Sequence, residues 1–284
     1  MSRILACLDD SPYAAGICDL AAWASRRLGW EVELLHVLQR KSAVLARHDL
    51  SGAIGLGVKG DLLEELTRMD ELQGRLAIEK GQALLNAAEQ RLHEASVVGI
   101  AIVHRHGGIV ETILEREAEA GLLVMGKRGA SSEFAAAHLG SKMERVLRAS
   151  AKPMLIAPLN PAMPSSLVVA YDGGKSAVRA VERLRQSPLF GGLPIHLLMA
   201  GATSTGNRDS LAQVAETLAQ GGTSVTSELR EGTAEDVISR TVAERPGSLL
   251  VMGAYGHSPL RNLLVGSTTT ATIRLVDVPI LLMR

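Results

Sequence analysis

Gly253, Gly256, Gly266 and Ser267 are the residues whose types and spacing suggest chemistry. Two residues separate the first two glycines, nine separate the next two, and hydroxyls continue through Thr268 and Thr269. The apolar run 248–252 comes directly before them, so the stretch reads as strand, glycine loop and helix start. Such a junction turns backbone N–H groups and the positive end of a helix toward whatever lies above it, which suits phosphate. Glycine is needed where a Cβ would block close approach of the backbone to a ligand. In this reading Gly253, Gly256, Gly266 and Ser267 cradle phosphate through main-chain amides, with Met252 and Tyr255 flanking the loop. The hydroxyls of Ser267, Thr268 and Thr269 add hydrogen bonds or reach Mg²⁺.

A phosphate cradle needs a crevice. In doubly wound sheets the ligand sits at the carboxyl ends of the strands that flank the switch in strand order. With strands in the order 3-2-1-4-5, that crevice lies between strands one and four, and Asp172 ends the first strand of its half while Gly253 ends the fourth. Asp172 is then expected to face ribose hydroxyls or a base edge. The chain has no P-loop lysine, no dinucleotide fingerprint after strand one and no Gly-x-Ser-x-Gly elbow. No catalytic residue is assigned. Asp172 as a lone base would support at most slow ATP hydrolysis, and binding is favoured over turnover.

The elements that must position these residues alternate strand and helix, the pattern of parallel β/α units. In the first half, strands are expected at 3–8, 31–38, 97–103, 121–125 and 153–158. Helices are expected after the Ser11 cap and Pro12, at 110–120 and at 141–149. The segment 159–166 carries two prolines and two serines and reads as a linker. Beyond it the pattern restarts: Asp9 matches Asp172, Gly107 matches Gly232, Gly126 matches Gly253 and Pro153 matches Pro279. The fold expected is α/β, with two tandem doubly wound domains, 1–158 and 167–284, each holding a five-stranded parallel sheet. The first half carries roughly 36 extra residues, mapping to 39–92. There a glycine-rich mobile loop at 51–60 feeds a long helix from Asp61, kinked at Gly74 or Gly81. This insertion is read either as a surface hairpin packed on the first domain or as a lid or partner-docking arm.

With those motifs placed, the whole chain resembles a tandem member of the universal stress protein family. ATP-binding members carry G-x2-G-x9-G-[ST] after strand four, which Gly253, Gly256, Gly266 and Ser267 match without a gap, and Asp172 corresponds to the family's acidic residue after strand one. The resemblance implies ATP or ADP binding, stress-linked regulation and dimerisation through antiparallel fifth strands. The first half departs from the pattern. Asp9, Gly126, Gly129, Gly140 and Ser141 form a second candidate site, but ten residues separate Gly129 from Gly140, and Lys142 and Met143 replace the hydroxyls. One extra residue re-aims a helix start by about 100°, so this copy is expected to be degenerate, with Lys142 offsetting part of the loss by its charge.

The fifth strands, opened by Pro153 and Pro279, look like sheet edges that must be covered. Pairing them within one chain would make an intramolecular pseudo-dimer, and a further homodimer would need another surface. Lys+Arg and Asp+Glu are both 30, giving no net charge, which argues against non-specific nucleic-acid binding. Hydrophobic residues make up 46% and aromatics 2%, so the core must be aliphatic, as where helices cover a parallel sheet. No apolar run reaches the ~18–20 residues of a membrane span, and the start of the chain has no signal-peptide layout, so a cytoplasmic location and no membrane partner are expected. Cys7 and Cys18 read as reduced core residues. His104 and His106 share one side of a strand end, but no carboxylate or thiolate completes a metal set locally, so they read as solvated or hydrogen-bonded. The functional expectation is a cytosolic stress-response regulator that binds ATP or ADP in its second domain and signals to an unidentified regulatory protein. A non-nucleotide scaffold or small-ligand carrier is the alternative, and a slow ATPase is a weaker one.

Overall fold

The structure, a computed structural model, describes residues 3–39, 56–129, 139–220, 222–253 and 267–284. The first half runs β1 (Arg3–Leu8), α1 (Ala14–Leu28), β2 (Glu31–Leu38), α2 (Leu56–Glu94), β3 (Ile100–His106), α3 (Ile109–Arg116), β4 (Ala120–Gly126), α4 (Ser141–Ala149) and β5 (Met154–Ala157). The second runs β6 (Ser166–Ala170), α5 (Lys175–Gln186), β7 (Ile195–Ala200), α6 (Thr205–Ala219), β8 (Val225–Arg230), α7 (Ala234–Ala243), β9 (Ser248–Gly253), α8 (Ser267–Leu275) and β10 (Ile280–Met283).

The ten strands among the described residues form one sheet in the order β3-β2-β1-β4-β5-β10-β9-β6-β7-β8. Each half is parallel with its own 3-2-1-4-5 order, as expected. The two five-stranded sheets join through their fifth strands, the pairing expected of the edges opened by Pro153 and Pro279. β5 and β10 pair antiparallel, Ile280 opposite Ile156 and Leu282 opposite Met154, so the two edges cover one another. Successive strand residues point to opposite faces. Ile4, Leu34, Leu167 and Val169 therefore fall in one buried cluster, and Leu5, Leu35, Val168 and Leu250 in the other. Both clusters draw on both halves, so the core runs through the junction.

Three cations tie the halves together. Arg27 Nε donates to Leu189 O at 2.6 Å, and its Nη2 donates to Gly191 O. Lys127 Nζ donates to Val276 O and lies 3.4 Å from Asp277 Oδ1. Arg284 donates to Leu147 O. Burial lowers the Lys127 pKa, and Asp277 opposes that shift. Within the first half, the Glu33 carboxylate is buried and takes hydrogen bonds from Arg3 at 2.7 Å and from Arg116 at 2.7 and 2.6 Å.

Several boundaries differ from the sequence reading. α1 begins at Ala14, not after Ser11; Tyr13 is its cap residue with no side-chain bond, and the buried Ser11 hydroxyl has no hydrogen-bond partner. Its far end stops at Gly29, with φ 68° and an N–H bond to Ser25 O. β3 begins at Ile100 because residues 95–99 make a turn in which Ser96 has φ 59° and Gly99 φ 86°. α6 begins at Thr205, capped by Ser204 through the Asn207 N–H, ahead of the start near Ser210 that the sequence predicts.

The largest difference is α2, one helix of 39 residues that passes through Gly74 and Gly81. Residues 56–60 of the expected loop are its first turns, and 51–55 lie outside the described residues. Its second part packs on the body through Gly81, Leu85, Ala88 and Leu92, with Arg91 paired to Asp19 at 2.6 Å. The side chains of 64–80 are exposed except the half-buried Ala77. Among the described residues no helix is long and apolar enough to cross a membrane.

Candidate functional site

The second half gathers its predicted residues around one crevice. β6 runs into the turn at Asp172, β9 ends at Gly253, and α8 opens at Ser267. Tyr171, Asp172, Met252, Gly253, Thr268 and Thr269 line the space between them. Asp172 is exposed, and its Oδ1 accepts from the Gly174 N–H at 2.8 Å, closing a turn in which Gly173 adopts φ 74°. That side-chain bond to the backbone two residues on holds the carboxylate at the lip, above the start of α5. Gly253 is required by packing, because a Cβ there would lie 2.6 Å from Ser176 Oγ and 2.9 Å from Ser176 Cβ. The strand end and the first turn of α5 are therefore in near contact, and this fixes the crevice width. Tyr255, Gly256 and Gly266 lie outside the described residues, as does the rest of the loop at 254–266.

The opposite wall is apolar. Leu198, Ala200, Ala234 and Ile238 supply it from β7 and α7. No motif flagged these positions; the signal was the spacing of Ala234 and Ile238, four residues apart on one helix face. The crevice thus offers an apolar side, hydroxyls, a carboxylate and the first turn of a nine-residue helix. Such a set suits an amphipathic ligand with an anionic end.

The first half forms the equivalent cleft. Asp9, Gly126, Gly129, Gly140, Ser141 and Lys142 line it. Ile109 and Ile113 take the places that Ala234 and Ile238 hold in the second. α4 begins at Ser141 with Gly140 as cap, so the extra residue between Gly129 and Gly140 does not displace the helix start from the cleft. Crowding distinguishes this copy. A Cβ on Gly129 would lie 2.4 Å from Asp9 Oδ2, so the carboxylate is against the loop, and a Cβ on Gly126 would lie 2.7 Å from Tyr13 Cβ. Lys127, which the sequence reading passed over, is the buried lysine here, and it is directed into the junction with the second half. Cys7 lines the same cleft; burial and the nearby carboxylates Glu33, Glu117 and Asp9 raise its pKa, which keeps it a thiol.

His106 is exposed, as expected, but His104 is arranged differently. His104 is neither solvated nor hydrogen-bonded at Nε2: this atom and His36 Nδ1 are buried without partners, and the two rings lie 5.0 Å apart. Both atoms abut Gly81 of α2, where a Cβ would lie 2.7 Å from each. Burial lowers the pKa of both, keeping them neutral beneath the helix. Among the described residues no group of three or more His, Cys, Asp or Glu side chains could hold a metal ion.

A tandem pair of doubly wound domains, joined edge to edge by their fifth strands and each with a crevice between strands one and four, defines the class. Comparison with known proteins makes it specific. The family model for the universal stress protein family matches residues 1–158 and 192–284. Universal stress protein Slr1230 of Synechocystis sp. is 32% identical over 290 residues, covering all of both chains. The chain belongs to the universal stress protein family. Among solved structures, a universal stress protein from Archaeoglobus fulgidus superposes with a TM-score of 0.73 at 22% identity, covering 99% of this chain and 97% of that one. A putative universal stress protein from Pseudomonas aeruginosa gives 0.64 at 16% identity, covering 99% and 92%. These two likenesses concern the fold alone.

Proposed function

We propose that this protein is a cytoplasmic stress-response regulator that binds ATP or ADP in the crevice of its second half. The observation that carries the reading is the convergence of Asp172, Met252, Gly253, Thr268 and Thr269 on one space at the start of α8. In this reading the first turn of α8 and the loop amides of Gly256, Gly266 and Ser267 hold the phosphates. The hydroxyls of Ser267, Thr268 and Thr269 hydrogen-bond them or meet Mg²⁺, the apolar wall of Leu198 and Ile238 takes the base, and Asp172 takes the ribose. Family membership supports a role in stress, and the intact G-x2-G-x9-G-[ST] spacing in this half supports the choice of ligand. The first cleft is the weaker candidate, since Asp9 crowds Gly129 there and the hydroxyls that would follow Ser141 are absent.

Nucleotide spanning Asp172 and α8 would change the surface offered to a regulatory protein, which is how occupancy would be read. Among the described residues lining the crevice Asp172 is the lone candidate base, so binding rather than turnover is the expected activity. Denaturing the purified protein and identifying released small molecules by mass spectrometry, together with calorimetric titration of ATP and ADP, tests this. One high-affinity site that is lost in Gly256→Asp and kept in Gly129→Asp is the expected result. Absence of released nucleotide together with no binding heat overturns the reading.

A further inference from the structure

A separate cavity of ≈ 440 Å³ opens between the halves. The first half contributes Leu28, Trp30 and Leu122 to its wall, and the second contributes Leu189, Phe190 and Met283. In a chain with only two tryptophans and two phenylalanines, one of each lines this space. Its shape is held from both sides. Arg27, stacked over Trp23 at 5.6 Å, binds the carbonyls of Leu189 and Gly191 and so pins the turn Pro188–Phe190 against the first half. The floor belongs to the shared sheet, where Met283 ends β10 and Pro153 precedes β5.

The polar groups at this cavity are few and of one sign. Arg183, on the last turn of α5, supplies the charge; Gln186 and Ser187 adjoin it, and no Asp or Glu lines the space. Among the described residues the Arg183 guanidinium makes no ion pair or hydrogen bond. A largely apolar pocket of a few hundred Å³ at a domain junction, with one convergent charged group, is the usual form of a small-molecule site. One planar, forked cation matches a carboxylate. A polyphosphate would call for further cations or a helix N-terminus, neither of which lines this cavity.

We propose that this cavity binds a small amphipathic monocarboxylate of the medium-chain acyl type, its chain against Trp30 and Phe190 and its carboxylate on Arg183. The site is independent of the nucleotide reading, and because both halves wall it, its occupant would bridge them. Octanoate is the probe, with octan-1-ol and acetate as comparators, titrated by calorimetry and by tryptophan emission in a Trp23→Phe background that leaves Trp30 as the reporter. Saturable binding of octanoate is expected, with octan-1-ol and acetate each weaker by at least about tenfold. Arg183→Gln should lose roughly 10–100-fold for octanoate while leaving octan-1-ol unchanged. Arg183 is exposed, so neither this variant nor Arg183→Glu should disturb folding, which the unfolding midpoint checks. No saturable response to octanoate, or equal affinity for octanoate and octan-1-ol with Arg183→Gln indistinguishable from wild type, overturns the proposal.

Discussion

Replacing Gly253 with alanine tests whether the close approach of β9 to α5 sets the second crevice. The added methyl would lie 2.6 Å from Ser176 Oγ, 2.9 Å from Ser176 Cβ and 3.3 Å from the Ser176 carbonyl carbon. The hydroxyl can swing aside, but the Cβ and the backbone cannot. Non-bonded carbon atoms rest at about 3.5–4.0 Å, so relief requires the strand end and the helix start to part by roughly 0.5–1 Å. Overpacking of that size costs about 1–3 kcal/mol. Displacing one wall relative to Asp172 and α8 removes the equivalent of one hydrogen bond to a bound ligand, ~1 kcal/mol or about fivefold in affinity. Urea unfolding reads the first quantity and calorimetric titration of ATP the second. Ser176→Gly removes the obstructing atoms at a backbone cost of about 0.5–1 kcal/mol. The double variant should therefore recover most of the loss, with a coupling energy of at least about 1 kcal/mol. A wild-type midpoint for Gly253→Ala, or a double variant whose cost is the sum of the two singles, would refute the packing argument.

Glu33→Gln should lower stability by about 3–5 kcal/mol at neutral pH, since it leaves Arg3 and Arg116 against a neutral amide in a buried site. Burial pushes the Glu33 pKa up, but the hydrogen bonds from Arg116 and Arg3 outweigh it and hold the carboxyl below its ordinary range. Its contribution is thus complete above the unfolded value near ~4.3 and is lost as pH falls through the lower folded value, so wild type and variant should converge in acid. A gap that persists undiminished well below pH 4 would contradict this. Gly81→Ala drives a methyl into His36 and His104, 2.7 Å from a ring nitrogen of each. It should lift the packed part of α2 at a cost of about 1–3 kcal/mol, seen as faster amide exchange over residues 81–94. Unchanged exchange would show that the helix does not depend on that contact.

The alternation of apolar runs with glycine- and acid-bearing turns made the fold legible, because each parallel β/α unit writes its own period into the chain. The same local signals located Asp172, Gly253, Thr268 and Thr269, since a crevice at a strand switch is built from strand ends whose residues follow from the strand order. Helix starts were less legible. Ser11 and Ser204 are both plausible caps by composition, yet only Ser204 makes a cap bond, and backbone geometry rather than residue type separates them.

What the sequence determined by itself was therefore the repeat, the alternation of strand and helix, and the residues at the carboxyl ends of the strands, all of which are written in local patterns. Only the tertiary structure decided that Gly253 is needed for Ser176, and that Lys127 and Arg27 serve the junction between halves. It also brought His36 and His104 together under Gly81 and placed Trp30, Phe190 and Arg183 around one cavity. His36 and His104 lie 68 positions apart in the chain, and Trp30 and Phe190 lie 160 apart. No local period records such contacts; they exist because two apolar faces and two open sheet edges had to be buried against each other.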